Sequence, residues 1–199
     1  MYWQRKAGVA LMAAGGLLLA AFVVPTVYGR AMSHLAVAEF RAESGSHRLW
    51  DSARIRAYQR TLAMVMPTPE GVLRVPKAGI EVPVYEGTSD LVLNRGVGHV
   101  TGTALPGEAG NVAITGHRDG FFRGLKDLAV GDKIEVQRSD TAGGTDTYVV
   151  DRIHIVLPGD TSVLNNTGRS TLTLITCYPF YYVGAAPQRY IVQAIKQGA

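Results

Sequence analysis

From residue 70 onward the chain is a series of short runs rich in Val, Ile, Thr and Tyr, with Gly, Pro, Asn or Asp at most junctions. Runs of this kind favour extended backbone, and the residues between them favour tight turns. The spacing predicts strands over 71–75, 80–85, 98–101, 111–117, 132–138, 146–157, 170–177 and 188–196. Short helical turns are predicted over 88–94, 121–128 and 160–166, the last with Asp160 or Thr161 as its cap. Many short strands with few helices restrict this part of the chain to a closed barrel or a sandwich. There is no internal repeat and no low-complexity tract.

The residues before this region read differently. With 199 residues the chain is sized for one domain and an appendage. Ala7–Val24 is an 18-residue run without a charge, directly after Arg5 and Lys6. Its length reaches the lower edge of what spans a hydrocarbon core of roughly 30 Å. The basic flank predicts a cytoplasmic N-terminus and an exported body. Processing near Val27-Tyr28-Gly29 is the rival reading, but the apolar run is long for a signal-peptide core and favours an uncleaved anchor. The expected organisation is therefore a cytoplasmic tip and transmembrane anchor over 1–29, a helical spacer and linker over 30–69, and a folded domain over 70–199. Ser44-Gly45-Ser46 divides the spacer into two helices, and Met66-Pro67-Thr68-Pro69 ends it, because proline blocks helix continuation. The spacer is expected to be a solvated stalk that lifts the domain off the membrane, with a regulatory arm that packs on the domain as the rival reading.

Composition narrows the function. Hydrophobic residues make up 47% and charged residues 18%, a balance that sustains a packed core. The net charge of +4 comes from 20 Lys and Arg against 16 Asp and Glu, scattered along the chain, with no basic run interleaved with aromatics. Nucleic-acid binding has no footing in that pattern. One cysteine and dispersed histidines lack the paired spacing of a zinc site, and no acidic loop of the calcium-binding type occurs. Gly143-Gly144 lacks the lysine and serine of a phosphate loop and reads as a turn. No metal and no cofactor are expected.

The chemistry centres on Cys177, the only cysteine of the chain. An exported protein usually pairs its cysteines, and a single one has no partner within its chain; it is bridging, inert or reactive. Alternation along the strands puts Cys177, Arg189 and His117 on the faces opposite Leu172 and Leu174, Tyr190 and Val192, and Val112 and Ile114. The strands ending at Cys177 and starting at Arg189 are joined by a short loop, and an antiparallel pair would set the two residues opposite each other. A thiol, an imidazole and a fixed cation brought together suit peptide acyl transfer: thiolate nucleophile, general acid and base, and oxyanion support. Of the other histidines, His99 is the one serious rival base. Water as acceptor, giving a thiol peptidase, and a catalytically silent envelope module that binds a partner in its groove fit the same fold.

Thr171-Leu172-Thr173-Leu174-Ile175-Thr176-Cys177 resembles the TLxTC element of the sortases, membrane-anchored cysteine transpeptidases of bacterial envelopes. Thr115-Gly116-His117-Arg118 is similar to the family's histidine element, and Arg189 after Ala186-Pro187-Gln188 to its arginine. Cys177-Tyr178-Pro179-Phe180-Tyr181-Tyr182-Val183-Gly184 is similar to the class D branch. The resemblance runs from about Gly71 to Ile195. It implies an eight-stranded antiparallel β-barrel and cleavage of an LPxTG-type sorting signal after its threonine. It also implies a thioacyl intermediate and transfer to an amine of the envelope or of another protein. By the same resemblance Cys177 is the nucleophile, His117 the general acid or base, Arg189 the oxyanion and substrate support, and Thr176 a substrate-binding neighbour.

Overall fold

The structure, a computed structural model, describes residues 52–61, 64–139, 144–182 and 184–198, together with Gly16. The chain divides into two compact units, residues 1–48 and 49–199. In the first unit only Gly16, which is helical, is described, so the expected anchor over Ala7–Val24 and the first spacer helix lie outside the described residues. Among the described residues no helix is long and apolar enough to cross a membrane.

The second unit opens with helix α1 (Ser52–Thr61) and continues as β1 (Gly71–Val75), β2 (Ile80–Glu86), α2 (Asp90–Arg95), β3 (Val97–His99) and β4 (Asn111–Thr115). After a 3-10 turn over Phe121–Asp127 come β5 (Lys133–Arg138), β6 (Thr145–Val156), β7 (Thr171–Tyr178) and β8 (Gln188–Lys196). The strands close into a barrel in the order β1-β2-β3-β4-β7-β8-β6-β5.

The barrel is mixed rather than all-antiparallel, which corrects the expectation from the sequence: β2 and β3 run parallel, as do β4 and β7. Hairpins give only antiparallel neighbours, whereas a crossover returns the chain in its original direction. Here α2 supplies the crossover from β2 to β3, and the long excursion through β5 and β6 supplies the one from β4 to β7. Helix α2 is short and well capped. The Ser89 hydroxyl accepts from the Val92 N–H at 3.4 Å, and the Gly96 N–H returns to the Val92 carbonyl at 2.8 Å.

Alternating residues fill the interior: Leu73 and Val75, Val82 and Val84, Ile134 and Val136, Leu172 and Leu174, Val192 and Ala194 are all buried. Phe122 and Leu125 of the 3-10 turn complete the core, and each such side chain contributes about 1.5–3 kcal/mol by leaving water. Phe122 also explains Gly116. A Cβ there would stand 2.9 Å from the Phe122 ring and 3.0 Å from Val97. Strand β4 therefore ends at Thr115, two residues short of the sequence expectation, and the bare backbone of Gly116 lets the ring pack under its tip.

The outer face of β7 and β8 is not open along its length. Thr173 and Ile191 are fully buried there, and Gln193 nearly so. The segment between β6 and β7 covers them through a polar relay: Asn111 Nδ2 donates to the carbonyls of Val163 at 2.9 Å and Asn165 at 3.2 Å. The Thr173 hydroxyl donates to Asn111 Oδ1 at 2.7 Å, and Gln193 Nε2 donates to Thr173 at 3.3 Å. Buried polar groups of this kind must be paired, so the relay fixes where the covering segment lies.

Helix α1 departs from the solvated stalk expected of the spacer. Thr61 at its end is buried, Arg95 of α2 donates to the Thr61 carbonyl at 3.3 Å, and Arg54 pairs with Asp119.

Candidate active site

The parallel pairing of β4 with β7 sets the site. Thr115 stands opposite Ile175, and the Gly116 N–H continues the ladder to the Ile175 carbonyl at 3.1 Å. Two strands running in the same direction keep that register, so the chain beyond Thr115 carries His117 to the flank of Cys177. On the other side, Cys177 and Arg189 are direct partners across the antiparallel pair β7–β8, as the sequence predicted. Thus β7 sits between the two strands that deliver the imidazole and the guanidinium.

Thr176 occupies the interior face. It is 1% exposed, and its hydroxyl donates to the Gly116 carbonyl at 2.7 Å. Its hydroxyl ties β7 to the backbone just before His117, and Thr176 also lines the cleft that holds Ile175, Cys177 and Arg189. The Arg189 guanidinium donates to the carbonyls of Gln188 at 3.0 Å and Ala186 at 3.4 Å, which holds it at the mouth of the β7–β8 loop. His99, the rival base, is buried elsewhere. Its Nε2 lies 3.0 Å from both the Ala104 carbonyl and the Thr103 hydroxyl, and its Nδ1 is 3.4 Å from Glu70.

Two clefts meet at these residues. The first, of about 390 Å³, is lined mainly by apolar side chains, among them Leu93, Val100, Val156, Val163, Ile175 and Ile191. The second, of about 300 Å³, is lined by Arg54, Arg118, Asp119 and the loop residues Gly184, Ala185 and Ala186. His117, Cys177 and Arg189 are the residues common to both linings.

The electrostatics of the junction favour a neutral imidazole. Burial, reinforced by Arg54 and Arg118 and opposed by Asp119 and Asp90, lowers the His117 pKa to about 4. Burial also pushes Arg54 down from its ordinary value, against the attraction of Asp119 and of Cys177.

Two residues of the second cleft escaped the sequence reading. Arg118 is 7% exposed, and its Nη2 donates to the carbonyls of Tyr182 at 2.6 Å and Gly184 at 2.8 Å, clamping the β7–β8 loop to the end of β4. Its guanidinium also faces the Tyr182 ring, 5.6 Å from the centroid. Arg54 reaches the site from α1, and nothing in the local sequence around either arginine announces a partner so far along the chain. Among the described residues no group of three or more His, Cys, Asp or Glu is placed to hold a metal ion.

Comparison with known proteins agrees with this geometry. A family profile described as "Sortase domain" matches residues 73–197. The chain is 34% identical over 187 residues to Sortase D of Bacillus subtilis (strain 168), covering 94% of this chain and 91% of that protein. Among solved structures it is similar to a Clostridium perfringens sortase D5 transpeptidase, with a TM-score of 0.58 and 31% identity over 72% of this chain and 89% of the other. A lid mutant of sortase A from Corynebacterium diphtheriae matches with a TM-score of 0.60 and 26% identity over 74% and 93% of the two chains. With the profile spanning the barrel and a relative this similar along nearly its whole length, the chain belongs to the sortase family, whose members are cysteine transpeptidases.

Proposed function

We propose that the chain is a membrane-anchored transpeptidase that cleaves an LPxTG-type sorting signal after its threonine and passes the acyl group to an amine of the envelope or of another protein. The residues before the anchor stay in the cytoplasm, and the barrel works outside. The observation that carries the reading is the junction of an apolar cleft and a polar one at Cys177, His117 and Arg189.

The apolar cleft suits the extended acyl half of a peptide, with the scissile carbonyl at Cys177. His117, neutral at neutral pH, accepts the thiol proton as the sulfur attacks that carbonyl. Arg189 supports the negative oxygen of the tetrahedral intermediate, a contribution of about 3–4 kcal/mol for comparable donors. The C–N bond then breaks, and His117 returns the proton to the leaving amine, leaving a thioester on Cys177. An acceptor amine attacks the thioester, a new amide forms, its proton passes through His117, and the thiol is restored. Thr176 supports the site by holding β7 against Gly116.

Full-length protein incubated with a fluorogenic LPxTG-type peptide and an amine is expected to give the amide product. Cys177→Ala is expected to lose at least about a thousandfold in turnover, since nucleophile removal leaves only binding and electrostatic contributions. Full turnover by that variant would refute the assignment, and a hydrolysed product that ignores added amine would make the protein a peptidase instead.

A further inference from the structure

Helix α1 lies outside the segment matched to the family, which begins at residue 73, yet one of its side chains stands in the site. Arg54 Nη1 pairs with Asp119 Oδ1, and the two side chains are only 16% and 6% exposed. Asp119 follows His117 by two residues in a turn closed on His117 itself, whose carbonyl accepts from the N–H groups of Gly120 and Phe122 at 3.2 Å each. The Arg54 guanidinium lies over that turn: a Cβ built on Gly120 would stand 3.6 Å from Arg54 Nη2 and 3.7 Å from His117 Cβ. Both members of the pair line the second cleft beside His117 and Cys177.

An ion pair so removed from water loses much of its attraction to desolvation, and its best-attested use is to fix one arrangement of the chain rather than to add stability. Resting on the transpeptidase reading above, we propose that Arg54 is a positioning residue of the transfer site. It holds the His117 turn through Asp119 and keeps a fixed positive charge on the second-cleft side of His117 and Cys177.

The charged groups that influence His117 are Arg54, Asp119, Asp90 and Arg118, and among them Arg54 acts most strongly, favouring the neutral ring. Without Arg54, Asp119 is a buried carboxylate lacking this partner two residues from the imidazole, and it draws a proton onto His117. The base that must receive the thiol proton then holds its own proton to higher pH than in the wild type. Helix α1 thereby completes the proton-transfer machinery of the barrel that follows it in the chain.

The test uses the full chain with Arg54→Met, Arg54→Lys and Asp119→Asn, each verified as folded by thermal melting. The His117 ring is followed by NMR across pH, and kcat and KM are measured for a fluorogenic sorting peptide. Arg54→Met keeps the stem and loses the charge. It is expected to move the His117 midpoint upward and to lower kcat by about tenfold to a hundredfold with little change in KM, as misplacement of a catalytic group does. Arg54→Lys is expected to restore most of both. Asp119→Asn is expected to move the midpoint downward and also to lower kcat.

Wild-type titration and kcat in Arg54→Met would overturn the proposal, as would equal losses in the Met and Lys variants with an unmoved His117 midpoint. If Arg54→Met does not fold, an unchanged titration and kcat in Asp119→Asn overturns it alone. The NMR titration needs no turnover, so failure of this proposal is separable from failure of the transpeptidase reading, which Cys177→Ala decides.

Discussion

At the residue scale the site is defined by which polar atoms are committed and which remain available. The Thr176 hydroxyl, Arg118 Nη2 and Arg189 Nη1 are held by backbone carbonyls, and Cys177, His117 and the remaining nitrogens of Arg189 are the groups left between them. His117 also ties the site to stability. Its pKa in the folded protein is about 4, below its ordinary value near 6.5, so the unfolded chain takes up a proton that the folded one excludes. Its contribution is therefore complete above about pH 6.5, declines as pH falls, and is exhausted below the folded value. Urea unfolding at pH 7 and at pH 4.5 is expected to show a larger loss for the wild type than for His117→Gln. An equal loss in both proteins would mean that the imidazole is more solvated than its burial indicates.

At the scale of elements, the apolar cleft owes its wall to the segment between β6 and β7, and that segment is held by the relay Asn111–Thr173–Gln193. Replacing Thr173 with Val removes the central hydroxyl while keeping its volume. Asn111 and Gln193 then lack their buried partner, which costs about 1–3 kcal/mol. Amide exchange is expected to accelerate over 157–170, and KM for a sorting peptide to rise more than kcat falls, because in the proposed reading the wall receives the peptide while the reactive groups sit just beyond β4 and on β7 and β8. Unaltered exchange over that segment would show that apolar contacts such as those of Val163 hold it instead. Helix α1 behaves as an element of the same kind: mostly exposed along its surface, it is joined to the rest by Arg54 and by its buried end at Thr61.

At the scale of the whole molecule, closure of β1 onto β5 leaves the eight strands without a free edge and makes one core common to all of them. The second unit is accordingly expected to unfold in one transition, with signals from the backbone and from buried Tyr148 coinciding. Leu174→Ala in that core is expected to cost about 2–5 kcal/mol and leave the His117 midpoint in place, because the cavity opens on the face away from the site. Separate backbone and tyrosine transitions would contradict a single core. The sequence alone determined the eight strands, their alternation, the opposition of Cys177 and Arg189 across a hairpin, and the resemblance that names the family. Each of these depends on neighbours within a few residues or on a short loop, where period and turn chemistry are sufficient. Tertiary structure alone decided that β4 lies parallel to β7, that the outer face of β7 is covered, and that Arg118 and Arg54 enter the site. These are matters of pairing between segments far apart in the chain, and no local pattern of side chains specifies which distant strand or helix will supply the partner.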